Sequence, residues 1–456
     1  MLFPTFTFIL GFLPLTLIVY FTLAKRNIPM ARLWLLAASV IFYSWFNWSY
    51  SLILAGSIAG NWLLARLLIK TRSKVILTLG IILNVLLLGY FKYYDFFITN
   101  VNAAFGTSFL LKHILLPLGI SFFTFQQISF LLLVYSDELK TRCTFGNYGL
   151  FVSFFPQLIA GPIVLPDEMM TQFDREENSR FNSDNFACGI YAFALGLGKK
   201  ILLADFFAEI ADAGFLNSGT TFWQAWQTAL AYTFQIYFDF SGYCDMALGI
   251  GMMFNIVLPK NFDAPYKAEN IADFWRRWHI TLGRFLMSTV YIPLGGNRCG
   301  KFRTCINLLI TFFISGLWHG ASWLFVLWGM LHGAALVLHR IWNHYLKLKM
   351  PAIPAKILTF FFVLSAWVLF RAENLTQAKN IYKAMFCPEK FGRFPPFSYN
   401  SVLFIVAAIL LSFGTPVYDL AKKFKPSWFN AALSAALLIV SMFFFVKVSP
   451  FIYFNF

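Results

Sequence analysis

Residues 310–329 read ITFFISGLWHGASWLFVLWG, and in these positions the only ionisable side chain is His319. A helix needs about 20 predominantly apolar residues to cross the hydrocarbon core of a bilayer, and this stretch joins the ends of two such runs. Similar runs recur near 5–24, 31–49, 50–69, 75–97, 111–135, 147–165, 186–206, 223–257, 304–318, 321–341, 355–370, 400–420 and 430–449. Some are short and the 223–257 run is long enough to be broken, so roughly eleven to thirteen membrane segments are expected. Composition agrees. Of 456 residues, 59% are hydrophobic, 20% aromatic and only 12% charged, with a mean hydropathy of +0.67. Soluble domains carry about 25% charged residues, so lipid must be part of the solvent. Uniformly apolar spans of this length lack the period-2 alternation of barrel strands. The expectation is an all-α polytopic membrane protein. No repeat period or Ser/Gly-rich linker divides residues 1–456, so they are treated as a single domain.

The net charge of +16 does not point to nucleic acid. Basic residues gather at the ends of apolar runs: Lys25–Arg26 with Arg32, Lys70–Arg72–Lys74, Lys199–Lys200, Arg298–Lys301–Arg303, and Lys422–Lys423–Lys425. Such clusters are topology signals in membrane proteins. No basic n-region precedes Lys25, so no cleavable signal peptide is expected. The first charges follow the first span, which puts residues 25–32 and 70–74 in the cytoplasm and the N-terminus outside. The six cysteines show no CxxC spacing, hence neither a disulfide framework nor a zinc signature.

Two apolar runs are interrupted. LPLGISF (116–122) and FFPQLIAGPIVLP (154–166) carry Pro and Gly inside them. Proline removes a backbone donor, and freed backbone groups are tolerated at membrane depth only against protein or a wet cavity. A kinked span and a re-entrant segment both fit. PDEMMTQFDREENSRFNSD (166–184) reads as a solvated surface loop. Between 259 and 303, rich in Arg, Trp and Pro, residues Phe274–Leu286 place Arg277, Thr281 and Arg284 at i, i+4 and i+7. That spacing suits one helix lying at the bilayer interface, with its tryptophans at headgroup depth.

Ionisable groups inside membrane segments are costly, so each is a candidate functional group. His319 is the sharpest: imidazole titrates near neutral pH and can take and return a hydroxyl proton. Gly316 and Gly320 flank it and allow close approach. A structural, hydrogen-bonded histidine fits the same residues. His279, within IADFWRRWHITLGR (271–284), sits beside Arg276, Arg277 and Arg284. It reads either as part of a basic interfacial face or as a second active histidine. Guanidinium forks suit lipid or donor phosphates. Asp239 and Asp245 are expected to pair with basic or polar groups in the bundle, and Gln126, Gln127 and Gln157 are the notable amides. His332, His339 and His344 share one predicted helix, but their spacing does not converge on a metal, and no metal site is read. There is no GxSxG elbow, P-loop or HExxH, and nothing marks Ser315 or Ser322 as a nucleophile.

WRRWHITL (275–282), YIPLGGNR (291–298) and SGLWHGASW (315–323), in that order, resemble the membrane-bound O-acyltransferases, and among them the bacterial alginate-acetylation type. LPLGISFFTFQ (116–126), FFPQLIAGPI (154–163), YFDFSGYCDMALG (237–249) and NFDAPY (261–266) support the match, which is best over 30–345. The resemblance implies a helical bundle around a central tunnel, with re-entrant segments. It implies that His319 is the invariant family histidine and His279 the second, and it marks Trp318, Arg276, Arg277, Arg284, Asp239 and Gln157 as residues near substrate or donor. The chain departs from the family at Met287–Ser288, where an Arg-Asp pair is common, and at Leu133, where an Asp is common.

The expected function is transfer of an acetyl group from a cytoplasmic thioester, acetyl-CoA, across a bacterial cytoplasmic membrane. No bound cofactor is expected. The expected partners are membrane lipid, the acyl-CoA donor and an extracytoplasmic SGNH-type acetyltransferase that modifies a cell-envelope polysaccharide. Lys outnumbers Arg and Phe reaches 57, as in AT-rich genomes, which favours peptidoglycan as acceptor. Alginate, another exopolysaccharide, or D-alanyl transfer to teichoic acid are the enzyme alternatives. A transporter would show repeated halves with paired broken helices, and none is evident. A scaffold with a dead site would be expected to have lost the histidine pair.

Overall fold

The structure is a computed structural model, and it describes residues 1–140, 143–217, 221–346, 350–387, 391, 399–445 and 449–452. The described residues are helical, joined by turns and irregular segments. Helices Thr7–Ala24, Trp48–Thr71, Lys74–Phe105, Ser183–Leu216, Trp323–Leu346 and Ala352–Arg371 are long and apolar enough to cross a membrane, and shorter apolar helices cover Ile28–Ser44, Ile120–Ser136, Val402–Ser412 and Trp428–Phe443. Two compact units result. The first comprises Met1–Gly196, Tyr243–Pro259 and Ala421–Lys447, and the second Leu197–Gly242, Lys260–Leu420 and Val448–Phe456.

In the first unit, local chemistry sets the helix boundaries. Asn27 starts Ile28–Ser44 by accepting from Met30 N at 3.1 Å, with a proline in the first turn. Facing helices are joined by buried amides: Asn61 and Asn84 exchange side-chain hydrogen bonds at 3.2 and 2.6 Å. The two interrupted runs meet. Residues 107–117 are non-helical, and Ile120–Ser136 starts only after Gly119, whose φ of +71° is left-handed. Phe145–Ser153 likewise stops at Phe154, and after a single turn, Phe155–Leu158, the chain leaves the helix. A Cβ on Gly119 would strike the Leu158 carbonyl, so only glycine permits this approach.

Three sequence expectations are corrected here. Phe222–Met253 is one unbroken helix; it holds no proline, and nothing interrupts its backbone ladder. The stretch at 166–184 is not simply a loop. Pro166–Asp174 is helical, with proline in its first turn and Glu168 accepting from Leu165 N at 3.0 Å, and Met169, Met170 and Phe173 are buried. Asp174 is tied by Arg32 at 3.0 Å and by Asn147 at 2.7 Å. Lys200 is not a flanking topology charge. It is fully buried, with its Nζ 2.7 Å from Asp239 and 2.8 Å from Asp205.

Candidate functional site

The second unit holds both motif histidines. Helix Gly300–His319 turns through Gly320–Ser322 into Trp323–Ile341, with Ser322 Oγ accepting from Leu324 N at 3.2 Å as the cap. Ser322 thus serves the turn. The two helices touch backbone to backbone. A Cβ on Gly316 would meet the Phe325 carbonyl, and one on Gly329 the Phe312 carbonyl. Small residues permit such close crossing, and the crossing fixes His319 one turn beyond Gly316.

His319 is 2% exposed and enclosed by rings. Trp318 and Trp328 lie 4.9 Å from its centroid and Phe370 lies at 5.0 Å, all steeply tilted to it. Phe370 comes from helix Ala352–Arg371, as does Trp367, which stacks on Trp328 at 5.7 Å. The enclosure is lined by aromatic rings, and charge developing inside it would be poorly screened.

His279 is reached through Trp318, whose ring lies 5.9 Å from the His279 ring. The expected continuous helix over Phe274–Leu286 is broken at this histidine. Ile271–Arg277 ends, Trp278 is extended, and His279 adopts φ +46°, ψ 52° before Ile280–Leu286 begins. A non-glycine residue in the left-handed region costs on the order of 1–3 kcal/mol unless its surroundings impose it. Here Asn261 imposes it. Asn261 Oδ1 accepts from Thr281 N at 3.2 Å and Thr281 Oγ1 at 2.9 Å, and Asn261 O accepts from Ile280 N at 3.0 Å. The same Oδ1 lies 3.2 Å from His279 Nδ1. Because the Thr281 amide can only donate, it orients the Asn261 amide group, and His279 Nδ1 is then the donor. The proton sits on Nδ1 and the lone pair on Nε2. Burial lowers the His279 pKa to about 3, so the ring is neutral.

The break also relocates the tryptophans. Trp278 is fully buried among Tyr237, Phe262, Phe274 and Trp367 instead of lying at headgroup depth. Trp275 turns its Nε1 to His332 Nδ1 at 3.2 Å. An accepting Nδ1 means that His332 is neutral and protonated at Nε2. The Trp328 ring is 4.9 Å from His319 and 4.8 Å from His332, so one indole joins the two histidines.

A match of the membrane-bound O-acyltransferase family spans residues 40–376. The chain belongs to that family. As a membrane-bound O-acyltransferase it is a multi-pass membrane enzyme that transfers acyl groups. The peptidoglycan O-acetyltransferase of Helicobacter pylori is 47% identical over 419 residues, covering 84% of this chain and 80% of that protein. The probable alginate O-acetylase of Azotobacter vinelandii is 40% identical over 401 residues, covering 85% and 78%. The teichoic acid D-alanyltransferase of Streptococcus thermophilus is 29% identical over 258 residues, covering 52% and 59%.

Within this O-acyltransferase, His319, His279 and Trp318 form one contiguous aromatic cluster. The other expected residues are placed differently. Arg277 bonds Asp273 at 3.0 Å and the Asp263 carbonyl at 3.2 Å, strapping the 260–263 loop, and with it Asn261, onto the helix end. Arg276 is exposed, 3.4 Å from Asp273, and Arg284 is half-buried. Asp239 anchors Lys200 and accepts from Ile452 N at 2.9 Å, while Ser449 Oγ lies 2.9 Å from Lys200. Its neighbour Phe240 packs on His279 at 4.8 Å. Gln157 belongs to the first unit, buried, donating to Phe151 O at 2.9 Å. Sequence reading missed Asn261 and His332 as site residues. The first lies in NFDAPY, a quoted motif; the second is a histidine on an apolar span.

Proposed function

We propose that this enzyme carries an acetyl group from a cytoplasmic thioester, acetyl-CoA, to the O-acetylation of a cell-envelope polysaccharide, peptidoglycan. The observation that carries the chemistry is His319, buried in an aromatic enclosure and linked through Trp318 to a neutral His279. His319 takes the proton of an acceptor hydroxyl as that oxygen attacks the thioester carbonyl. The C–S bond breaks, and the imidazolium returns its proton to the departing sulfur. His279 is held neutral and so serves as an orienting hydrogen-bonding group from the cytoplasmic side. Arg276 and Arg284 meet donor phosphates or anionic lipid.

A tunnel with re-entrant walls would let the donor stay on one side while the acyl group crosses. The non-helical stretches at 107–117 and 159–165, within otherwise apolar sequence, support such walls. The membrane is the bacterial cytoplasmic membrane, and the partner that completes transfer is an extracytoplasmic SGNH-type acetyltransferase. The 47% identity to a peptidoglycan O-acetyltransferase favours that acceptor over alginate, whose acetylases are 36–40% identical. Mass analysis of muramic acid in a deletion strain tests the reading. Loss of muramic O-acetyl groups, restored by the wild-type gene and not by His319→Ala, is expected; unchanged muramic acetylation would refute the acceptor.

A further inference from the structure

The hairpin that carries His319 has an open end about 27 Å away by helical rise. The pairing of its two helices fixes what meets there. Gly316 faces Phe325, Phe312 faces Gly329, and Leu309 faces Gly333, so the helices are antiparallel. Lys301 Nζ accordingly lies 2.6 Å from His344 Nε2 and over the Tyr345 ring at 5.7 Å. Between the two helices at this end is a groove of about 910 Å³, within the usual size range of ligand sites.

The walls of the groove are hydrocarbon: Phe302, Leu308, Leu336 and Ile341 line it, together with Cys305. Its mouth is cationic. Lys301 and Arg340 line it, Asn343 and His339 stand beside them, and no carboxylate contributes to the lining. Among the described residues neither cation has an acidic partner; Arg340 reaches only Asn297 Oδ1, at 3.4 Å. This contrasts with Lys200, Lys260, Arg277 and Arg371, each of which is held by an aspartate. The faces around the mouth are turned outward: Phe302 is 81% exposed and Leu338 66%. Trp342 and Tyr345 are exposed beside them, the residue types that settle at headgroup depth.

We propose that this groove holds an anionic glycerophospholipid, its phosphate between Lys301 and Arg340 and its acyl chains along Leu308 and Leu336. Two cations without acidic partners, flanked by exposed Trp342 and Tyr345, attract an anionic lipid headgroup, and the apolar residues of the cleft accept its acyl chains. The polar residues gather at the mouth and the remaining lining is apolar, which suits a charged headgroup with hydrocarbon chains better than a nucleotide. Ala272 also lines the groove and belongs to the helix that carries Trp275, so the lipid abuts the element that holds His332.

The test is native mass spectrometry of the delipidated full-length protein, titrated with phosphatidylglycerol or phosphatidylethanolamine of matched chains. A preference of roughly tenfold or more for phosphatidylglycerol is expected. It should fall to the phosphatidylethanolamine level in Lys301→Gln/Arg340→Gln. Leu336→Trp, which obstructs the acyl-chain path along Leu308 and Leu336 and keeps both charges, should also lose it. Equal retention of the two lipids by the wild type would overturn the proposal, as would a preference surviving in both variants. Displacement of bound phosphatidylglycerol by coenzyme A would overturn it too, by making the groove a donor site.

Discussion

The Asn261 side-chain oxygen lies 3.2 Å from His279 Nδ1 and simultaneously accepts from Thr281 N and Thr281 Oγ1. One atom therefore sets a backbone break and the protonation pattern of an imidazole. Asn261→Ala should remove the oxygen that accepts from Thr281 N and Thr281 Oγ1, at a cost of about 1–3 kcal/mol, and should release His279 from its left-handed conformation. Lower thermal stability with an acetyl-transfer loss larger than that of a distant core substitution is expected. Wild-type activity in Asn261→Ala would refute the arrangement.

The pH dependence follows from the burial of the same imidazole. The His279 pKa is about 3 in the folded protein, below the ordinary value of about 6.5. Below pH 6.5 the unfolded chain binds a proton that the folded one does not. This residue's contribution to stability is therefore complete above pH 6.5 and lost as pH falls from there toward 3. Thermal midpoints measured between pH 7 and 5 should decline less steeply in His279→Gln than in the wild type. A carboxylate at 261 would favour the imidazolium, so Asn261→Asp should introduce an acid-side activity change that the wild type lacks.

His319→Ala should lower acetyl transfer by about 10²–10⁴-fold, the usual contribution of a positioned acid–base group, with membrane insertion unchanged. His319→Gln keeps the volume and should be as inactive. Full turnover in either variant, assayed with purified protein and a thioester donor, would remove His319 from the chemistry.

His332 and Trp275 should behave as a unit. His332→Leu and Trp275→Phe each remove the same hydrogen bond, so the double variant should lose about 1 kcal/mol less than the sum of the singles. Additive losses in a double-mutant cycle on stability and on kcat would show that the two act separately.

Much of this was legible in the sequence, and the remainder has identifiable causes. His319 could be found because a lone ionisable residue in an apolar run is conspicuous by cost alone. The helix break at His279 could not, because local spacing is helical through 274–286 and the group that breaks it arrives from Asn261, outside any helical window. Lys200 resembled a flanking charge since its partners, Asp205, Asp239 and Ser449, lie 5, 39 and 249 positions away. The Pro166–Asp174 helix was hidden by its polar composition, although proline and Glu168 in the first turn signalled a start. Trp278 misled because tryptophan suits both a membrane interface and a packed core; only the turn at 278–279 decides which.

The cluster around Lys200 also imposes an order on synthesis. Asp239 leaves the ribosome long before Ser449 and Ile452, the residues that complete its shell. Through Phe240, that shell backs the His279 ring. A nascent chain thus carries every motif of the candidate site before residues 449 and 452, which back that site through Asp239 and Phe240, have been added.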